Sequence, residues 1–370
     1  MIRLENLTKI YGEGHTAMRV VDDVSLDLPN GEICVLLGPS GCGKTTTMKM
    51  INRLIQPTSG KVFIDGKDTS TVNPIELRRT IGYVIQQIGL FPNKTIEDNI
   101  CVVPDLLGWD RRKSRARAKE LLDLVGLQPD LFLKRYPREL SGGQQQRVGV
   151  LRALAADPPV MLMDEPFGAI DPINREVIQE EFLKIQQKIR KTIIFVSHDL
   201  DEAVKMADKI AIFRSGKLEQ FASPNELLAR PANGFIENFL GTDRALKRLR
   251  LVSVQAAMRP DFVTVSMAES IEEARVRIRK SGAAAAFVVN AEGRAEAVLT
   301  IDAIEGQSGR VSDFARPATI SVPITGDLRQ AVSLMFAHAM PVLPCVDDGG
   351  KLCGVMTYRA IVQNLGGGKA

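Results

Sequence analysis

The sequence predicts an α/β protein in two parts: a domain built on a mostly parallel sheet, and behind it a smaller α/β module present twice. The first sign is Gly38-Pro39-Ser40-Gly41-Cys42-Gly43-Lys44-Thr45, which fits G-x-x-x-x-G-K-[ST]. It lies between a short branched apolar run, Ile33–Leu37, and a helix-compatible run, Thr46–Ile51. The second is alternation: the strand-like runs Val160–Met163 and Thr192–Val196 are interleaved with helical stretches at about 172–190 and 200–206. The third is an internal repeat. Arg259-Pro260 recurs as Arg316-Pro317, an offset of 57 (316 − 259). The same offset carries Ile271 to Leu328, Gly293 to Gly350 and Thr300 to Thr357 without a gap. One copy of that size covers its own core poorly, so the two are expected to pack together.

Composition sets limits. The chain has 370 residues, enough for two or three domains, with 45% hydrophobic and 25% charged residues. A net charge of +4 is too weak to argue for nucleic acid. No apolar run approaches the ~18 residues needed to span a bilayer. The start, Met1-Ile2-Arg3-Leu4-Glu5-Asn6, lacks a signal peptide's apolar core. The expectation is a cytosolic protein that another chain carries to any membrane. Five cysteines without metal spacing read as reduced thiols, Cys42 among them as a small tolerated residue.

Along the chain, residues 2–70 read as strands with tight turns, and Tyr11 falls in a Gly-flanked loop where an aromatic can stack on a base. In the stretch 38–45 the glycines allow a tight turn, so that backbone N–H groups and the following helix dipole meet a phosphate. Lys44 would bridge phosphates, and the Thr45 hydroxyl would hold Mg²⁺. Residues 74–135 are richer in helix, and the basic run Arg111–Lys119 reads as a solvated helix face. In Leu140-Ser141-Gly142-Gly143-Gln144, Ser141 caps a helix through Gln145–Ala155. That leaves its hydroxyl and the N–H groups of Gly142 and Gly143 for an anion. Asp164 and Glu165 emerge at the C-terminal end of a buried strand, and Ser197-His198-Asp199 at the end of another. Prolines and glycines loosen the pattern over 221–250. The expected division is a domain at 1–240, a linker at 241–251, and repeats at 252–309 and 310–366.

These residues together resemble an ATP-binding cassette (ABC) ATPase, and the motifs stand in that family's order over about residues 1–240. Gly38–Thr45, with Thr46 next to it, matches Walker A. Gln86 fits the Q-loop, Leu140–Gln144 the signature, Val160–Glu165 Walker B, Phe167–Asp171 the D-loop and His198 the switch histidine. The resemblance implies a P-loop ABC domain, with a mixed-sheet core plus a helical subdomain. It implies ATP with Mg²⁺ held by Thr45, Gln86 and Asp164, Tyr11 on adenine, Glu165 activating water and His198 at the γ-phosphate. It also implies a head-to-tail homodimer, with Ser141–Gln144 and Asp171 completing the partner's site.

The repeat resembles tandem cystathionine-β-synthase (CBS) domains over about 252–366. An ABC ATPase followed by that tandem looks like the ATPase of quaternary-amine importers. The partners implied are an integral membrane permease and an extracytoplasmic solute-binding protein, without nucleic acid. The place implied is the cytoplasmic face of the plasma (inner) membrane. Another small solute, such as amino acids, is the alternative cargo. Many adenosine-binding CBS units carry an Asp three residues after a strand-end Thr; here Ala303 and Ala360 stand there. A regulatory nucleotide, a response to ionic strength and dimerisation alone all stay open.

Overall fold

The computed structural model describes residues 2–85, 89–168 and 170–365. They form two compact units, Met1–Phe239 and Leu240–Ala370, each described here by itself.

The first unit holds two sheets. One has the order β2-β1-β4-β5, from β1 (Ile2–Tyr11), β2 (Met18–Leu28), β4 (Ser59–Ile64) and β5 (Lys67–Asp68). The other has the order β10-β9-β3-β8-β7-β6. Its strands are β3 (Ile33–Leu37), β6 (Ile81–Val84), β7 (Val160–Asp164), β8 (Thr192–Val196), β9 (Lys209–Arg214) and β10 (Lys217–Ala222). All neighbours in it are parallel except β10, which runs against β9. Every residue of β3, β7 and β8 is buried, which is why these segments are apolar but for Thr192 and Asp164 rather than alternating. Because the three run the same way, whatever follows them gathers at one edge: the loop from Gly38, the acids from Asp164, and His198.

Helices fill the crossovers. They are α1 (Lys44–Ile51), α2 (Pro74–Arg79), α3 (Ile96–Leu106), α4 (Arg111–Leu124), α5 (Pro129–Phe132), α6 (Gly142–Leu154), α7 (Pro172–Ile189), α8 (Leu200–Met206), α9 (Pro224–Ala229) and α10 (Gly234–Leu240). Between β6 and β7, α3 packs on α4 and α6 as a helical insertion. The basic run lies on α4, largely exposed, capped by Asp110 on the N–H groups of Arg112 and Lys113. Phe167 meets the rings of Phe182 and Phe195 edge-on at 5.9 and 6.3 Å, which seats α7 on β8.

One sequence expectation needs correction. Tyr11 is not in a loop: β1 runs longer than its apolar core, and Tyr11 is its last residue, paired with Met18. Helix α6 follows the expected cap, Ser141, and begins at Gly142, where Ser141 and Gln144 close a capping box that holds both glycines in the first turn.

In the second unit, α11 (Arg244–Arg248) and α12 (Val254–Ala257) precede two similar layers. The first comprises β11 (Val263–Thr264), α13 (Ile271–Ser281), β12 (Ala285–Val289) and β13 (Ala295–Thr300). The second comprises α14 (Val311–Phe314), β14 (Arg316–Pro317), β15 (Val322–Pro323), α15 (Leu328–Ala337), β16 (Val342–Val346), β17 (Leu352–Thr357) and α16 (Tyr358–Leu365). The sequence offset reappears in the element starts: 254 and 311, 271 and 328, 285 and 342, 295 and 352.

The copies trade their opening segments. Val254 and Ala257 sit in the core with Val322, Leu328 and Met356, while Val311 and Phe314 pack with Ile271, Ala286 and Leu299. Backbone bonds fix the exchange: Val254 N–H donates to Gly326 O at 2.8 Å, Val311 N–H to Glu269 O at 3.0 Å, and β14 pairs with β13. A third cluster, with Phe287 and Val298 from one copy and Val342 and Val355 from the other, joins the layers.

Val254→Asp therefore tests the exchange. A buried, unpaired carboxylate costs on the order of 3–5 kcal/mol. Hydrogen exchange followed peptide by peptide should show protection lost over residues 328–361 before 271–300, although residue 254 opens the other copy.

Candidate functional site

The loop after β3 turns on glycines at positive φ, with Gly38 at 145°, Gly41 at 76° and Gly43 at 100°. Two of them are also pressed against backbone. A Cβ on Gly38 would lie 2.3 Å from Phe213 O, and one on Gly43 2.5 Å from Val20 O. The loop is thus seated between β9 and β2. It ends at α1, whose first N–H groups have no intrahelical acceptor and so can meet an anion together. The Lys44 side chain is buried and folds back along the loop. Its ammonium donates to Gly38 O at 2.7 Å and Pro39 O at 2.8 Å, with Cys42 Sγ at 3.6 Å.

A cavity of about 370 Å³ opens over this loop. Ser40, Gly41, Cys42, Gly43, Lys44, Thr45 and Thr46 line it, facing Glu165 and His198. Asp164, the last residue of β7, is buried and accepts from Thr45 Oγ1 at 3.2 Å. Burial pushes its carboxyl above the usual range, against the opposing pull of the Thr45 hydroxyl. Glu165 leaves the strand at φ 45°, anchored by its N–H on Val196 O at 3.1 Å. His198 Nδ1 stands 3.5 Å from Glu165 Oε1, and the imidazole is largely exposed.

The other expected residues fall elsewhere. Ser141 N–H donates to Gln144 Oε1 at 3.0 Å, and Gln144 N–H donates to Ser141 Oγ at 3.3 Å. The hydroxyl is a cap, contrary to the expectation that it stays free, yet as an acceptor it keeps its own proton to donate. The two glycines differ. A Cβ on Gly143 would lie 3.2 Å from Ile178 Cδ1, whereas nothing lies within 4 Å of one on Gly142. Ser141, Gly142, Gly143 and Gln144 do not line the cavity, nor do Tyr11 and Asp171. Tyr11 carries Lys9 Nζ 5.0 Å from its ring centroid. Asp171 is exposed and starts α7 through its carbonyl, which accepts from Arg175 N–H. Gln86 lies outside the described residues.

Sequence reasoning missed what holds the His198 loop. Glu202 is buried on α8, bonded to Gln179 at 3.0 Å and to Ser197. A local signal existed in Asp199-x-x-Glu202, the spacing of a helix start, and Asp199 does cap α8. The carbonyls of Val20 and Phe213 carried no signal at all.

The donor set suits a magnesium-bound triphosphate. The loop offers N–H groups and one ammonium, and its glycines seat it so closely on Phe213 O and Val20 O that the shape is fixed. Thr45 and Asp164 offer hard oxygen donors side by side. Among the described residues no cluster of three or more His, Cys, Asp or Glu forms a metal cage. Mg²⁺ suits such a sparse site, since it keeps waters and phosphate oxygens as ligands. In the second unit a cleft of about 760 Å³ is lined by Thr300, Asp302, Ala303, Arg316 and Tyr358 among others, while Ala360 is buried in the core.

Comparison with known proteins gives the same picture. The ABC transporter family model matches residues 21–168, and the CBS domain model matches 253–304 and 311–367. The chain is 49% identical to the osmoprotectant import ATP-binding protein OsmV of Salmonella typhimurium, over 100% of this chain and 97% of that one. It is 46% identical to the glycine betaine/carnitine/choline transport ATP-binding protein OpuCA of Bacillus subtilis, over 98% and 96%. Among solved structures, the dimeric ATP-binding cassette MJ0796 bound to ADP and Pi aligns with a TM-score of 0.53 at 35% identity. The match covers 60% of this chain and 98% of that one.

Gly43→Ala puts a methyl against Val20 O at a φ that L-residues avoid. The expected cost is about 1–3 kcal/mol, read as a lower melting temperature. Affinity for a fluorescent ATP analogue should fall at least roughly ten-fold, as the loop is pushed out of its seat.

Proposed function

The chain belongs to the ABC transporter ATP-binding family and carries CBS domains, and on that premise we propose that it powers import of quaternary-amine osmoprotectants. The observation that carries the reading is the extent of the likeness. Relatives named for osmoprotectant, betaine, carnitine or choline transport match across both units, not over the ATPase alone.

Each residue then has a task. Lys44 and the N–H groups of the 38–45 loop hold the β- and γ-phosphates. Thr45, Asp164 and Gln86 would hold Mg²⁺, which when bound would offset phosphate charge. Glu165 takes a proton from the attacking water, and His198, beside it, steadies the γ-phosphate. Tyr11 stacks on adenine. Ser141, Gly142, Gly143, Gln144 and Asp171 serve the site of a second copy, which accounts for their distance from this chain's own cavity and for the open space at Gly142. No helix among the described residues is long and apolar enough to cross a membrane. A permease subunit therefore supplies the path, at the cytoplasmic face of the membrane, with an extracytoplasmic binding protein delivering solute. The CBS pair regulates turnover, with the cleft at Thr300 and Arg316 as a place for a nucleotide.

In the complex reconstituted with permease and binding protein, glycine betaine, choline or carnitine should stimulate ATP hydrolysis. Stimulation by amino acids alone would move the cargo to another class. Lys44→Ala should abolish turnover, and Glu165→Gln should bind ATP and persist as a dimer on gel filtration. Normal turnover by Glu165→Gln would remove that carboxylate from its role. Gly142→Ala should melt no lower than wild type, since Ala favours a helix by about 1 kcal/mol. It should still lose ATPase activity at least roughly ten-fold, because the methyl meets the second copy's nucleotide.

A further inference from the structure

Glu202 is a buried carboxylate with both oxygens engaged. Gln179 Nε2 donates to Oε1 at 3.0 Å, and the Ser197 hydroxyl donates to Oε2. Ser197 is buried as well, and its Oγ accepts from the N–H of Asp199 at 3.0 Å. That bond closes a turn around the residue between them, His198. Asp199 in turn caps α8: Oδ1 accepts from the N–H groups of Asp201 and Glu202 at 2.8 and 3.2 Å. Its Oδ2 faces Arg175 Nη1 at 3.7 Å, and Arg175 Nη2 donates to Ile170 O at 2.9 Å.

Arg175 and Gln179 are four residues apart on α7 and so share a face. From that face two struts reach the loop after β8. One runs Gln179–Glu202–Ser197, the other Arg175–Asp199. The second also grips Ile170, in the segment that leads from Glu165 into α7.

A carboxylate here is costly. Burial pushes the Glu202 carboxyl up, against its two side-chain hydrogen bonds. A leucine of similar size would give the same helix a cheaper core. What the carboxylate adds is a pair of acceptors that orient a hydroxyl and an amide at once.

We propose that Glu202 is a positioning residue for ATP hydrolysis: through Ser197 it fixes the turn that presents His198 beside Glu165, and through Gln179 it ties that turn to α7. The inference rests on the role given to His198 above. Its effect on the reaction is assigned to the placement of that imidazole, since Glu202 does not line the cavity itself.

The test is a double-mutant cycle on the full-length chain. Steady-state ATP hydrolysis is compared for wild type, Glu202→Ala, His198→Ala and the pair. A displaced catalytic group costs about 100-fold, so Glu202→Ala should lower kcat by roughly that factor. Its KM for ATP should change less than about three-fold, because the 38–45 loop is untouched. Added to His198→Ala, it should cost less than about two-fold more, since its target is already gone. A merely structural role would instead multiply the two losses, and that result overturns the proposal. So does wild-type turnover by Glu202→Ala. If that variant fails to fold, Ser197→Ala removes only the relaying hydroxyl and must show the same non-additivity; wild-type turnover in it overturns the proposal equally. The outcomes also separate the two levels of the account. Active Glu202→Ala with inactive His198→Ala sinks this inference alone. Fully active His198→Ala removes the role of the imidazole and this inference with it.

Discussion

Two backbone carbonyls, Phe213 O and Val20 O, close on the loop at Gly38 and Gly43 so tightly that no side chain fits between. The rest of the first unit depends on that seat. It brings the end of β3 against β9 and against β2 of the other sheet, and so couples the two sheets at the place where the loop must hold its shape. It also sets where α1 begins. Lys44 can then lie along the loop floor, and Thr45 can reach Asp164 on β7. A loop that had to find this shape on binding would spend part of its phosphate affinity on ordering itself.

The parallel sheet turns one geometric rule into a site. With β3, β8 and β7 side by side and in the same direction, the residues that follow them meet at a single edge. One strand delivers the phosphate loop, the next the imidazole, the third the acids. The buried strands set position, and that brings Thr45, Glu165 and His198 into one cavity wall, with Asp164 bonded to Thr45. The second unit solves a different problem. Each copy is too small to shield its own core, and the exchange of α12 and α14 gives each layer a lid from the other. Neither copy is complete without its twin.

Much of this was legible in the sequence because the signals are local. The glycines at 38, 41 and 43 carry the turn, the apolar runs at 33–37, 160–163 and 192–196 carry the strands, and a constant offset carries the duplication. What was not legible depends on partners far away in the chain. Tyr11 looked like a loop residue because glycines flank it, yet pairing with Met18 draws it into β1. The Ser141 hydroxyl looked free, yet it accepts from the Gln144 backbone N–H in the first helical turn. A Cβ on Gly143 would press on Ile178 Cδ1, thirty-five residues on, a contact that no spacing announces. The swap of opening segments in the second unit was hidden for the same reason: a 57-residue period is equally consistent with two copies that stand alone.

Nucleotide binding depends on a loop shaped in advance for a triphosphate. Isothermal titration of the purified full-length chain with ATP in the presence of Mg²⁺ measures that claim directly. Saturable heat at one nucleotide per chain, lost when Mg²⁺ is withheld or Thr45 is replaced by alanine, is the result expected. No heat at millimolar ATP, or binding that survives both changes unaltered, would contradict it.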